Sequence, residues 1–455
     1  MKNSKCATTR RYHCLPHITF ESHKLTSFSG LIILQKLFDI TDLKHRLRAC
    51  FTHLKVIPIF GHGRIMLLLI IHLMLGFRRI RDIKYYEHDP LILRTLGITR
   101  LPDVATVCRT LANADDQCVE LVQDLSRHHV IEQLGSASPN RVTADFDGSV
   151  ISTKRHAENT AVGYNKKSKG QRSYYPLFCT IAQTGQVLDM LHRSGNVHDS
   201  NGALGFVEHC LLSLRTHVPT ATLESRLDAA FFSQAMLDLL NRWHTQFTIS
   251  VPFERLLALK KLVETRKRWK RIDSETAYFE PRWSPKSWST SYRFIVERTK
   301  NKMQSKEPIQ LDLFIPHQYG YDFKVIVTNK SIQAKQVIAF HNGRGSQEGI
   351  FAELKSQLSM DLIPFRRLIP NQLYLMAGCI AHNLNRTLQM KIKPKQRKTT
   401  PKRTPLWVFQ QINTFRRNIV NRAGRLTRPQ GILTLTISGN NYVENEYREI
   451  LAALS

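Results

Sequence analysis

An arginine, a carboxylate and a lysine stand at intervals of four and seven residues in the stretch His341-Asn342-Gly343-Arg344-Gly345-Ser346-Gln347-Glu348-Gly349-Ile350-Phe351-Ala352-Glu353-Leu354-Lys355. Read as one helix, those intervals put Arg344, Glu348 and Lys355 on a shared face. A carboxylate between two cations can hold a divalent metal while its neighbours grip phosphate oxygens. The same pattern also describes a solvated ladder of ion pairs. Two upstream aspartates favour the first reading. Cutting or transferring a phosphodiester needs an activated oxygen nucleophile and neutralisation of charge on the leaving oxygen. Two divalent ions roughly 4 Å apart supply both when carboxylates from separate elements hold them. Magnesium and manganese prefer such oxygen ligands. Asp147, Asp228 and Glu348 are the candidates. Asp145 is the alternative to Asp147, and Glu353 or Asp361 to Glu348. Asp228 also has a reading as the cap of a helix starting near Ser233.

The elements that must carry these residues show in the apolar spacing. Arg141 to Ser152 alternates as one strand, with Thr143, Asp145, Asp147 and Ser149 on its polar face. Tyr175 to Ala182 and Val187 to Leu191 follow as strands joined by a turn, then a helix from about Asn201 to Leu214. A strand from Thr222 to Leu227 ends at Asp228, followed by a helix from Ser233 to Trp243 and a strand from Phe247 to Val251. This order is mixed α/β. The long basic piece that follows carries Arg266-Lys267-Arg268-Trp269-Lys270-Arg271, Trp283 and Trp288, and is too long for a simple connection, so an inserted β subdomain is expected. Its tryptophans read as core residues, with one available to stack on a flipped base. Asp322 to Thr328 returns as a strand ahead of the Glu348 helix, and Gln372 to Gln389 is helical. Lys391 to Arg403 has no apolar face and is expected to be a mobile phosphate-binding loop. In the tail, a basic helix (Arg416, Arg417, Arg422, Arg425), the strand Ile432 to Ile437 and a short final helix are expected.

Upstream, from about Leu25 to Leu134, the spacing is helical. Leu101-Pro102-Asp103 opens a short helix that presents Thr106 and Arg109, either as a DNA-reading helix or as a plain packing element. The expected organisation is therefore a basic N-terminal arm (1–24), a helical DNA-binding domain (25–138), the first part of a core (139–251), an inserted β-rich subdomain (252–321), the second part of the core with the Glu348 helix (322–390), and a basic C-terminal region (391–455).

Composition points to the partner. The 455 residues carry a net charge of +30, a field that favours a polyanion because each cation placed at a phosphate releases counterions. Nucleic acid is the expected partner, with an anionic membrane surface as the rival. The longest apolar run, Ile65 to Leu75, is too short to span a bilayer and reads as a buried helix, so no membrane partner is expected. The first twenty residues have no continuous apolar core, and a cytoplasmic, nucleoid-associated protein is expected. Eight cysteines without a C-x2-C pair read as reduced thiols. Cys14-Leu15-Pro16-His17 resembles half of a metal site with no matching half after it.

The motifs together resemble a known family. Asp147-Gly148-Ser149, Gly163-Tyr164-Asn165 with Tyr175-Pro176-Leu177, Arg193-Ser194-Gly195-Asn196, Arg226-Leu227-Asp228-Ala229-Ala230-Phe231 and the Arg344/Glu348/Lys355 helix are similar to the DDE transposases of bacterial insertion sequences. The last element resembles the Y-x2-R-x3-E-x6-K signature of the insertion-sequence-four superfamily, and the glycine-bearing blocks resemble its thirteen-eighty branch. The resemblance runs from about residue 25 to the C-terminus. It implies an RNase H-like α/β core with an inserted β subdomain and an N-terminal helical DNA-binding domain. It further implies two Mg2+ ions, replaceable by Mn2+, held by Asp147, Asp228 and Glu348. Arg344 and Lys355 would then contact transposon-end phosphates, with His341 donating where the family has tyrosine. Ala229-Ala230 stands where Ser-Gly is usual, and neither departure removes a metal ligand.

The function so implied is binding of the element's terminal inverted repeats, metal-dependent strand cleavage, and strand transfer into target DNA by a homodimer or larger synaptic complex. A non-catalytic DNA-binding protein, either a decayed transposase or a repressor, is the competing reading. Retention of all three acids separates the two. A free-standing nuclease fits less well, because the large basic flanks suggest recognition of DNA ends.

Overall fold

The computed structural model describes residues 17–19, 24–163, 168–197, 201–301 and 320–455. Most of the basic arm, including Cys14, and the loop cations Lys166 and Lys167 with Asn165 lie outside the described residues. The chain enters with a short strand, β1 (Leu25–Thr26), and runs through α1 (Leu31–Ile40), α2 (Leu43–Ala49), α3 (His62–Leu75), α4 (Pro90–Leu96), α5 (Val104–Ala112) and α6 (Asp116–Ala137). Aspartates start the last three of these helices. Asp89, Asp103 and Asp115 each accept backbone N–H groups of the first turn, satisfying donors that a helix start leaves orphaned. The apolar run Ile65–Leu75 is buried on every side, which explains its lack of a polar stripe. No described helix is long and apolar enough to cross a membrane.

After α6 the pattern changes to period two and the chain builds its main sheet. In chain order the strands and helices are β2 (Arg141–Gly148), β3 (Ile151–Thr153), β4 (Ala161–Val162), β5 (Arg172–Tyr174), β6 (Leu177–Ile181), β7 (Gln186–Leu191), α7 (Ala203–His217), β8 (Thr222–Leu227), α8 (Gln234–Arg242), β9 (Gln246–Val251), α9 (Leu257–Glu264), β10 (Lys270–Arg271), β11 (Thr276–Phe279), β12 (Arg293–Lys300) and β13 (Tyr321–Thr328). Then come α10 (Ala334–Asn342), α11 (Ser346–Gln357) and α12 (Leu368–Ile392). Nine strands form one mixed sheet in the order β10-β11-β12-β13-β9-β8-β2-β6-β7, and β3-β5-β4 is a small separate sheet. β2 lies inside the large sheet, parallel to β8 and antiparallel to β6.

Several expectations are corrected. The strand expected to run to Ser152 stops at Gly148, because the Ser149 N–H turns to the Pro176 carbonyl (3.0 Å) and leaves the ladder. The strands within 252–321, expected as an inserted β-rich subdomain, join the main sheet. β12 pairs with β13 along eight residues, so the inserted strands extend the main sheet edgewise, with α9 beside them. The N-terminal helices likewise share one apolar core with α11, α12 and the tail.

Lys391–Arg403 is anchored rather than loose. Arg403 donates twice to the buried Glu224 carboxylate (2.7 and 3.0 Å), and the Lys402 carbonyl accepts from buried Arg226 (2.7 Å). The basic helix of the tail is instead α13 (Ile412–Phe415), a π-helical turn at Arg416–Val420 and a strand, β14 (Gly424–Thr427), which pairs with β1 and β15 (Thr434–Ile437) ahead of α14 (Asn441–Ala453). Arg416 is buried, and its guanidinium donates to the Leu73 and Met74 carbonyls. It thus caps the C-terminus of α3, where a cation is favoured.

Candidate active site

Strand register brings the two aspartates together. β2 and β8 run parallel, with Phe146 opposite Leu227 as the last pair, so Asp147 and Asp228 are the next residues out on neighbouring strands. Both stand at the carboxyl ends of parallel strands, the edge at which open α/β sheets place ligands. Arg344 closes the pair. Its Nη1 is 3.2 Å from Asp147 Oδ2 and its Nη2 is 3.5 Å from Asp228 Oδ1. Side-chain exposures of 26% for Asp147, 44% for Asp228 and 23% for Arg344 place this cluster at the surface, open to a large ligand.

Arg344 does not lie on the Glu348 helix proper. It occupies a tight 3-10 turn, Gly343–Gly345, between α10 and α11. Gly343 is required there by close approach, since a Cβ would meet the Lys402 carbonyl at 1.9 Å and Arg226 Nη1 at 2.3 Å. α11 is tied to β2 and to the segment just after it. Gln347 donates to the Asp145 carbonyl (3.0 Å), and Lys355 Nζ to the Val150 carbonyl (2.8 Å). Glu348 lies between these ties, exposed, in the first turn of α11, where the helix N-terminus favours negative charge. Its carboxylate has no hydrogen-bond or ion-pair partner among the described residues.

Asp145 has a different fate from Asp147. It is 1% exposed and forms a two-point pair with the guanidinium of Arg226, itself fully buried. Burial pushes the Asp145 carboxyl up in pKa, and Arg226 opposes the rise. Glu224, two residues before Arg226 on β8, is fully buried among Arg403, Lys330 and Arg141. Burial raises its pKa, but Arg403 and Lys330 outweigh that and hold it at about 2. This ionic layer beneath the aspartates escaped sequence reading. The alternating Glu224/Arg226 and Thr143/Asp145 positions were its only local trace.

His341, expected as a phosphate donor where the family has tyrosine, faces inward. It is 2% exposed, with Nδ1 3.0 Å from the Thr248 hydroxyl and Nε2 2.9 Å from the Ser250 hydroxyl. Burial first, then the Lys324, Arg344 and Arg226 cations, hold its pKa well below the usual value. Glu353 is buried against Arg386 and accepts the Ile412 N–H, and Asp361 pairs with Arg78, so both alternatives to Glu348 are occupied elsewhere.

Thr106 and Arg109 lie on α5 opposite its buried Val107, Thr110 and Leu111, and the Arg109 guanidinium donates to the Thr106 hydroxyl (3.3 Å). Trp288 packs on Phe232, just after the Asp228 turn, with ring centroids 5.0 Å apart. Trp283 packs edge-on against Phe294, and Arg298 lies over Trp269. The glycine blocks also find a reason. A Cβ on Gly163 would meet the Gly195 carbonyl oxygen at 1.6 Å, so the two motifs are adjoining backbones.

Chemically, the three acids are oxygen donors suited to hard cations; Asp147 and Asp228 converge on one positive group, whereas the Glu348 carboxylate does not join them in a cluster with all ligand atoms within 4.8 Å of one another in this structure. The guanidinium of Arg344 stands between the carboxylates where charge must be neutralised.

The family described as "Transposase DDE domain group 1" matches residues 16–455. Curated protein sequences show no match. Among solved structures the chain is similar to that described as "Cryo-EM structure of piggyBac transposase synaptic complex with hairpin DNA", with 11% identity, coverage of 86% of this chain and 79% of that one, and a TM-score of 0.48.

Proposed function

Because this chain belongs to the DDE transposases, in the family described as Transposase DDE domain group 1, we propose that Asp147, Asp228 and Glu348 are its catalytic acids and that it moves an insertion sequence. The finer placement, in the thirteen-eighty branch of the insertion-sequence-four superfamily, rests on the Arg344/Glu348/Lys355 frame and the glycine blocks. The observation that carries the reading is the convergence of Asp147 and Asp228, 81 positions apart, on one guanidinium, with Glu348 exposed on the adjoining helix.

In this reading the RNase H-like core holds a transposon-end phosphodiester over the carboxyl ends of β2 and β8. Arg344 and Lys355 flank it and grip phosphate oxygens, Arg344 having the geometry for two parallel hydrogen bonds. Two Mg2+ ions, or Mn2+ in their place, held by the three acids would supply charge neutralisation and activation of the attacking oxygen. Water attacks phosphorus, the bond to the 3′ oxygen breaks, and the end leaves as a 3′ hydroxyl. That hydroxyl then attacks a target phosphodiester at the same acids. The ionic layer of Asp145, Arg226 and Glu224 keeps the two strand ends in register. Thr106 and Arg109 on α5 are assigned to reading end DNA, and two ends held together call for a homodimer or larger synaptic assembly.

The test is nicking of a supercoiled plasmid carrying the element's ends, with magnesium, by the wild type and Asp228→Asn. Wild type should nick and the variant should bind the ends without nicking. If both bind and neither nicks, the chain is a DNA-binding protein without catalysis.

A further inference from the structure

One corner of the helical layer gathers metal-binding side chains away from the acidic cluster. Among the described residues, His53, Asp115 and Cys118 are the one group of histidine, cysteine and acidic side chains whose ligand atoms all lie within 4.8 Å of one another. His53 belongs to the turn after α2. Asp115 is the N-cap of α6, and Cys118 sits in its first turn, its N–H donating to Asp115 Oδ1 at 2.9 Å. His53 Nε2 is 3.1 and 3.2 Å from the Asp115 oxygens and 3.7 Å from Cys118 Sγ.

Those spacings have a specific meaning. Zinc bonds of about 2.0 Å to nitrogen or oxygen and about 2.3 Å to sulfur, set tetrahedrally, separate their ligand atoms by about 3.2–3.7 Å. A His–Asp ion pair alone explains the shorter distances. It does not explain why a sulfur closes the third edge.

We propose that His53, Asp115 and Cys118 form a zinc site that staples the α2–α3 connection to the start of α6. One sulfur, one nitrogen and one oxygen donor favour zinc over the hard ions suited to the three acids. Side-chain exposures of 24% for His53 and 50% for Asp115 leave the site open to solvent, so water completes the coordination. On binding, the Cys118 thiol loses its proton to solvent and sulfur becomes the ligand. The site is structural: it fixes the layer that carries α5.

Cobalt(II) is the probe, because a thiolate ligand gives it a near-ultraviolet charge-transfer band that carboxylates alone do not. The full chain, stripped with a chelator, should take up one equivalent of cobalt with that band, and added zinc should bleach it. Cys118→Ser should abolish the band. His53→Ala should weaken cobalt binding by more than about tenfold, and zinc should raise the Tm of the wild type but not of His53→Ala. Should Cys118→Ser fail to fold, His53→Ala and Asp115→Asn, both at exposed positions, report on the same band. A folded wild type without the band, a Cys118→Ser protein that keeps it, or a His53→Ala protein that binds cobalt as tightly as wild type overturns the proposal.

Discussion

Arg344 reaches Asp147 at 3.2 Å although 197 residues separate them, and the same guanidinium touches Asp228. One cation thus holds two acids whose mutual repulsion would otherwise push them apart. Arg344 serves both the carboxylates and, in the proposed reading, a phosphate. Arg344→Ala should therefore bind transposon-end DNA more weakly at every sequence tested, with the slope of log affinity against log salt reduced by about 1. Binding of divalent ions should survive, because Arg344 competes with such ions for the same oxygens. A variant whose affinity and salt slope match wild type would remove Arg344 from the DNA contact.

Arg403 closes the ionic layer from above. Cutting it to alanine leaves Glu224 buried with Lys330 and Arg141, so the loss is partial, about 2–4 kcal/mol. Urea unfolding should record that loss. Trypsin should cleave within Lys395–Lys402 faster than in wild type, since the anchor of that segment is gone. Unchanged stability and cleavage would show that the pair contributes nothing.

Gly343→Ala tests the close approach at the hinge between α10 and α11. Its Cβ cannot be accommodated against the Lys402 carbonyl, and forced overpacking of this kind costs about 1–3 kcal/mol. Because the displaced residue neighbours Arg344, DNA cleavage should fall more than stability does. Comparison of single-turnover cleavage with the urea midpoint separates the two.

Acid should destabilise the fold early. Burial lowers the pKa of His72, His129 and His192 to about 4 and of His382 to about 3, and that of His341 lies well below the usual value. Below about pH 6.5 the unfolded chain binds protons that these native imidazoles refuse. Stability therefore rises with pH across this range and is lost as pH falls, by up to about 1.4 kcal/mol per pH unit for each histidine. Urea unfolding at pH 7, 6 and 5 should show a steep decline, and His341→Gln should reduce the slope by about one proton. A flat profile would mean that the imidazoles are charged in the folded state.

The strands were readable because they rest on local rules. Alternation marks β2, and β8 spans the predicted Thr222–Leu227 residue for residue. Parallel pairing of those two strands then sets Asp147 beside Asp228. Features that depend on distant partners left little local trace. His341 turns inward because Thr248 and Ser250 offer hydroxyls on β9, and Arg416 caps α3 across 342 residues. The Lys391–Arg403 segment looked like a solvated charge run because its anchor, Glu224, lies on a strand far upstream. Apolar period also cannot show a 3-10 turn inserted before α11, so Arg344 and Glu348 looked like members of a single helix.

The most direct test is single-turnover cleavage of labelled end DNA by Asp147→Asn, Asp228→Asn, Glu348→Gln and the double variant Asp147→Asn/Glu348→Gln, alongside binding of the same DNA. If the three acids act as a unit, each single variant should lose at least about a thousandfold in rate while keeping end binding, and the double should be no slower than the singles. A Glu348→Gln protein that cleaves within a few-fold of wild type would contradict the account.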